Sequence, residues 1–158
     1  MFREMRRKNQ ELTGDEAELI LQNGSSGVLA LSGDEGYPYA VPLSYAYSDG
    51  SLYFHSAVAG HKIDAIKNAD KASFCVIGQD EVIPSEFTTR YKSVVVFGKI
   101  SILEDGHELR AAMEKLAAKY SPGYKNEGSL YIERHKAHYV VIKLAAEHIS
   151  GKQANPIY

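Results

Sequence analysis

The chain is predicted to be mainly β: six strands forming an antiparallel barrel or strongly coiled sheet, with three or four peripheral helices. Three observations lead there. Short runs rich in β-branched and aromatic residues recur from Gly27 to Ile149. The connections among the strands are mostly hairpin-length and carry turn residues, Ser48-Asp49-Gly50 being the clearest. Helical and strand patterns do not alternate as a parallel α/β fold would require.

The elements follow in order. Thr13-Gly14-Asp15-Glu16 has the form of a capping box, with Thr13 as N-cap and Glu16 three residues on. The helix it opens presents Ala17, Ile20 and Leu21 on one side and should end near Asn23-Gly24. Gly27–Leu31 reads as a buried strand and Ser32–Gly36 as a turn. Tyr39–Tyr47 alternates loosely and contains Pro42, which places it at a sheet edge or bulge. Ser51–His55 is the next strand, followed by a helix from about Gly60 to Asn68 with Ile63 and Ile66 inward. Lys71–Ile77 is apolar enough to be central, and Gly78–Thr89, which lacks periodicity, reads as a surface loop. Tyr91–Leu103 is a long strand with a bend or bulge at Gly98. A helix spans Gly106–Tyr120, capped by Asp105 with Glu108 three residues on. Lys125–Lys136 is a loop or short helix, Tyr139–Ile149 the last strand, and Ser150–Gln153 a tail.

Bulk properties narrow the function classes. With 158 residues, 44% of them hydrophobic and 24% charged, the chain suits one globular domain over residues 1–158. A formal charge of −2 gives no electrostatic reason for DNA or an anionic membrane as partner. No apolar run is long enough to span a bilayer, and the charged start Met1–Lys8 lacks the apolar stretch of a signal peptide. The single cysteine, Cys75, excludes an internal disulfide, and the expected location is the cytoplasm. Eleven tyrosines, five phenylalanines and no tryptophan suit half-buried strands and stacking surfaces.

The segment Leu52–Lys62 carries the most chemistry. A strand stops at His55-Ser56, a small-residue turn follows, and Gly60-His61-Lys62 opens a helix. Unpaired N–H groups, the positive end of the helix dipole and an ammonium converge there on a place for an anion. An ordinary strand-to-helix connection with a solvated lysine would look the same. The segment has neither a Walker nor a Rossmann glycine pattern. Of the six histidines, His55 at the strand end is the candidate to orient or protonate a substrate. His107, His135 and His138 suit structural or solvated roles, and no spacing matches a metal site. No nucleophile elbow or Ser–His–Asp order is present. Arg90-Tyr91-Lys92-Ser93-Val94 adds donors at a strand entry, and Val41-Pro42-Leu43-Ser44-Tyr45 leaves backbone groups open to a flat heterocycle.

In order along the chain, these pieces resemble the FMN-binding split β-barrel (pyridoxamine 5′-phosphate oxidase-like) family, in its nitroimidazole-resistance branch. The matching segments are Gly27–Leu31, Tyr39–Tyr45, Leu52–Ala57 with Gly60-His61-Lys62, Lys71–Val76, Tyr91–Gly98 and His148–Lys152. The resemblance implies a split barrel that pairs as a homodimer, with FMN in grooves at the subunit junction. It implies phosphate contacts from Ser56 and Lys62, helped by Lys92 and Ser93, and an isoalloxazine ring along Pro42–Tyr45. The cofactor-binding set it carries is Val41, Pro42, Leu43, Ser44, Phe54, His55, Ser56, Ala57, Gly60, His61, Lys62, Tyr91, Lys92, Ser93 and Val94, with His55 also catalytic. The further substrate-phosphate residues that pyridoxamine phosphate oxidases carry near the C-terminus have no match, which disfavours that reaction. The implied activity is reduction of a small planar electrophile, such as a nitroaromatic, with electrons from NAD(P)H or another donor. Alternatives are a non-catalytic flavin or haem binder on the same barrel, with His55, His61 or His148 as candidate haem ligands, or a cofactor-free scaffold.

Overall fold

The computed structural model describes residues 1–154. It contains seven strands: β1 (Gly27–Ser32), β2 (Pro38–Leu43), β3 (Ala46–Ser48), β4 (Ser51–Ala57), β5 (Lys71–Ile83), β6 (Thr88–Leu103) and β7 (Tyr139–Gln153). The helices are α1 (Gly14–Asn23), α2 (His61–Asn68), α3 (Gly106–Tyr120) and α4 (Lys125–His135). All neighbouring strands are antiparallel in the order β2-β1-β5-β6-β7-β4-β3. The two edge strands, β2 and β3, are consecutive in sequence and joined only through Ser44 and Tyr45. The sheet must therefore curl until its edges approach, giving a barrel whose seam stays unpaired.

The strand count differs from expectation because Tyr39–Tyr47 breaks at that seam. Tyr45 is fully buried, and its hydroxyl donates to the Leu21 carbonyl at 2.7 Å. Its own N–H is taken by the Tyr120 hydroxyl (2.8 Å) and its carbonyl by Lys119 (2.9 Å), so side chains of α3 replace a β ladder. Gly78–Thr89, expected as a loop, is a two-stranded ribbon in which Gln79–Ile83 pairs with Lys92–Thr88. Val82 and Phe87 on it are exposed, and a ribbon with no core face shows no hydrophobic alternation in sequence. The Ser150–Gln153 tail continues β7, pairing Lys152 with Ser93 and Gly151 with Val94.

Other local expectations hold. Thr13 and Glu16 form the capping box, Glu16 Oε2 accepting from Thr13 N–H at 2.8 Å. Asp49 and Gly50 both have positive φ, as the tight β3–β4 hairpin requires. A bulge falls between Phe97 and Gly98, and a side-chain carbon at Gly98 would lie 2.0 Å from the Ala145 carbonyl oxygen. At α3, Asp105 is the N-cap but makes no capping bond. Glu108 instead accepts from Lys143 at 2.5 Å and from the Tyr53 hydroxyl at 3.1 Å.

Side-chain alternation divides the barrel into two packed regions. Leu29, Leu52, Phe54, Phe74, Val76, Val94, Val96 and Ile142 point inward and are joined by Leu21 of α1 and Ile63 of α2. Phe74 meets Tyr45 and Phe54 edge-on at 5.0 and 4.9 Å, aromatic contacts worth about 0.5–1.5 kcal/mol each beyond their buried area. The opposite face of β3, β4 and β7, with Ala46, Tyr53, Tyr139 and Val141, is covered by Leu109, Met113 and Leu116 of α3 and Ile132 of α4. No helix among the described residues is long and apolar enough to cross a membrane.

Candidate functional site

Gly60 caps α2 with φ of +125°, a conformation that strongly favours glycine, and no atom lies within 4 Å of where its side chain would begin. Ile63 and Ile66 anchor the helix in the barrel core, which fixes its open N-terminus at the surface. In the first turn the Ile63 and Asp64 N–H groups donate to the Gly60 carbonyl at 2.9 and 3.1 Å, which leaves those of His61 and Lys62 without a helical acceptor. His61 stacks on Tyr39 of β2, with centroids 4.0 Å apart, and its Nε2 lies 3.5 Å from Asp34 Oδ2. Lys62 is half-buried and forms no ion pair among the described residues. Two uncommitted backbone N–H groups, one ammonium in the same turn and a glycine that permits close approach make this helix end the candidate anion cradle.

Along β4, parity separates the predicted residues. Phe54 and Ser56 face inward and are buried, whereas His55 and Ala57 are exposed. The His55 ring lies 5.4 Å from the Tyr139 ring. Desolvation holds its pKa below the usual histidine value, which favours the neutral imidazole. His55 opens on a cleft of about 580 Å³ between the barrel seam and the α3–α4 pair. Leu43 and Ser44 line its β2 side, while Met113, Leu116, Tyr120, Tyr124, Glu127, Tyr131 and Ile132 line its helical side.

Sequence reasoning missed that helical wall. Tyr131 lies on α4 and Tyr124 is its N-cap, so the two reach one cleft only once the segment is known to be helical. The surplus of tyrosine was the available signal.

The remaining predicted residues sit elsewhere. On β6, Val94 is fully buried in the core, Ser93 pairs with Lys152, and the Tyr91 ring lies 5.9 Å from the Lys152 ammonium. His55 pairs with Val141 on β7 and Ser93 with Lys152, eleven residues farther along. At about 3.3 Å per residue that is a contour of roughly 36 Å. Along β7 the Ser93 pairing therefore lies far from that of His55, whereas across the sheet Pro42 shares a row with Val95, two residues from Ser93.

The outer face of the sheet completes the geometry. Pro42, Val28, Cys75, Val95 and Ser150 form one continuous row across β2, β1, β5, β6 and β7. Val28, Ile77 and Phe97 on this face are exposed. The apolar faces of α3 and α4 pack instead against the β3–β4–β7 side.

Comparison with known proteins agrees with this architecture. The fold matches a candidate 5-nitroimidazole antibiotic resistance protein from Bacteroides thetaiotaomicron, with TM-score 0.76, 21% identity, and 90% of this chain and 86% of that one covered. A FAD-binding protein from Mesorhizobium loti is 31% identical, with TM-score 0.63 over 92% of this chain and 97% of its own. The FAD- and haem-binding protein from Mycobacterium smegmatis aligns with TM-score 0.79 and 22% identity, covering 93% of this chain and 74% of that one. No curated protein sequence matches. The sequence profile of the pyridoxamine 5′-phosphate oxidase family matches residues 13–153, which span every strand and helix described above, and the chain belongs to that family.

Proposed function

We propose that the protein binds FMN and reduces small planar electrophiles of the nitroaromatic or nitroimidazole kind, acting as a cytoplasmic homodimer with electrons from NAD(P)H. The observation that carries this reading is the alignment of two features on β2. Tyr39 touches His61 at the anion cradle, and Leu43 reaches the His55 cleft. Four residues separate them, roughly 13 Å of strand at about 3.3 Å per residue. An anionic cradle and an apolar cleft linked by an edge strand suit a phosphorylated tail and a flat ring. Pro42 on that edge leaves neighbouring backbone groups without a ladder partner on its outer side.

Bound FMN would supply the electron or hydride transfer. The chain's own residues would do the rest. The Lys62 ammonium and the backbone N–H groups of His61 and Lys62 would hold the phosphate. The neutral imidazole of His55, kept in that form by desolvation, would donate a hydrogen bond to an acceptor oxygen. The aromatic wall of the cleft keeps the acceptor flat. Dimerisation is supported by the exposed outer row and by the separation of Ser93 from His55 along β7. A second copy seated on that row would deliver its Tyr91–Ser93 segment to the groove.

The visible spectrum of the protein purified with added FMN is the test. We expect flavin bands that bleach with NAD(P)H and recover with a nitroaromatic acceptor. A protein that takes up no flavin overturns the reading, and a Soret band would replace it with haem binding.

A further inference from the structure

The chemistry of the cleft wall extends beyond holding a flat ring. Of the thirteen residues that line it, Glu127 alone carries a formal charge, and that charge is negative. Glu127 has no ion-pair partner among the described residues. Three tyrosines line the same space: Tyr124 and Tyr131 are well exposed, with one face of the Tyr131 ring stacked on His135 at 4.2 Å, and Tyr120 is 39% exposed. His55, on the opposite wall, is held toward its neutral form and adds no cation. A nearby ammonium, that of Lys119, is engaged by the carbonyls of Gly24 and Tyr45 at 2.6 and 2.9 Å.

An anion entering this cleft would leave water for a site whose nearby ammonium, Lys119, lies 5.5 Å from the Tyr120 ring centroid and is already bonded to two carbonyls. A flat cation would meet aromatic faces, whose quadrupole attracts positive charge, together with one carboxylate. We infer that the cleft selects planar heteroaromatic cations as acceptors, such as N-alkylated pyridinium or imidazolium rings, nitro-substituted ones included, over neutral rings and over rings that carry a carboxylate. This specifies the acceptor for the flavin reading and rests on that reading for turnover, but the binding preference stands apart from it.

Three pyridine-3-carbonyl probes of differing charge test it: N-methylnicotinamide cation, neutral nicotinamide and anionic nicotinate, titrated by calorimetry into the protein as purified and into the FMN-loaded protein. We expect the cation to bind at least about threefold more tightly than the neutral ring, with nicotinate not binding measurably. Glu127→Gln should remove most of the cation preference and leave nicotinamide affinity within about twofold. Equal or tighter binding of nicotinate overturns the inference, as does a wild-type protein without cation preference. A preference that survives Glu127→Gln overturns the role of that carboxylate. If the protein takes up no FMN yet prefers the cation, the flavin reading fails and this one stands; if FMN binds without any preference, the reverse holds.

Discussion

Lys119 holds its ammonium 4.0 Å from the centroid of the Tyr45 ring while donating to the carbonyls of Gly24 and Tyr45. This contact ties α3 to the turn between the two edge strands. The neighbouring Tyr120 hydroxyl accepts from Tyr45 N–H at 2.8 Å and lies 2.6 Å from the Ser25 carbonyl, to which it donates. Together they close the barrel seam where no ladder can form. They also set one wall of the cleft.

Lys119→Met keeps the aliphatic stem but leaves the Gly24 carbonyl without this donor. Charge-assisted hydrogen bonds contribute about 1.5–3 kcal/mol, reduced by partial exposure, so we expect a loss of about 2 kcal/mol. Urea unfolding followed by circular dichroism measures it. A change below about 0.5 kcal/mol would show that the latch contributes little.

Gly98→Ala places a methyl group against the Ala145 carbonyl, whose oxygen lies 2.0 Å from the new carbon position. The clash is with backbone at a bulge, so the strands must part. We expect a cost of about 3 kcal/mol or failure to fold, read as a fall in thermal midpoint or soluble yield. A variant with unchanged midpoint would contradict the described register.

The lowered pKa of His55 makes stability depend on pH. As pH falls, the unfolded chain takes up its proton first, at about pH 6.5, while the folded chain resists. The contribution is therefore complete above that pH and is lost as pH falls toward the depressed folded value. Comparing His55→Gln with wild type at pH 8 and pH 5 checks the sign: relative to the variant, wild type should be more stable at pH 8 than at pH 5. A difference independent of pH would remove the desolvation argument.

Lys62→Ala should weaken FMN binding by roughly tenfold, the loss of about one charge-assisted hydrogen bond to the phosphate. Riboflavin, which has no phosphate, should bind the variant and wild type alike. Equal FMN affinity in the two proteins would move the phosphate away from α2.

Val28 occupies the outer row beside Pro42 and Cys75. If this row joins two copies, Val28→Asp buries two unpaired carboxylates at the junction. Sedimentation should show a dimeric wild type and a monomeric variant with poorer flavin retention. A monomeric wild type would end the dimer proposal.

Residue chemistry alone determined most of the strands and the helices, and it marked Gly60–Lys62 as the candidate anion site. Strand alternation, the Thr13–Glu16 capping box and the Asp49-Gly50 hairpin are short-range features, set by backbone conformation and by neighbours a few residues apart. The split at Tyr45 and the ribbon at Gln79–Thr88 were not legible. The first depends on α3 side chains about 75 residues away, and the second lacks a buried face to impose a period. The tertiary structure alone decided which candidates meet. Register set His55 outward and Phe54 inward, folded α4 over the cleft so that Tyr124, Glu127 and Tyr131 became its wall, and left Ser93 eleven residues along β7 from the His55 pairing. Those relationships come from strand order and barrel closure, which join residues distant in sequence and leave no local signature.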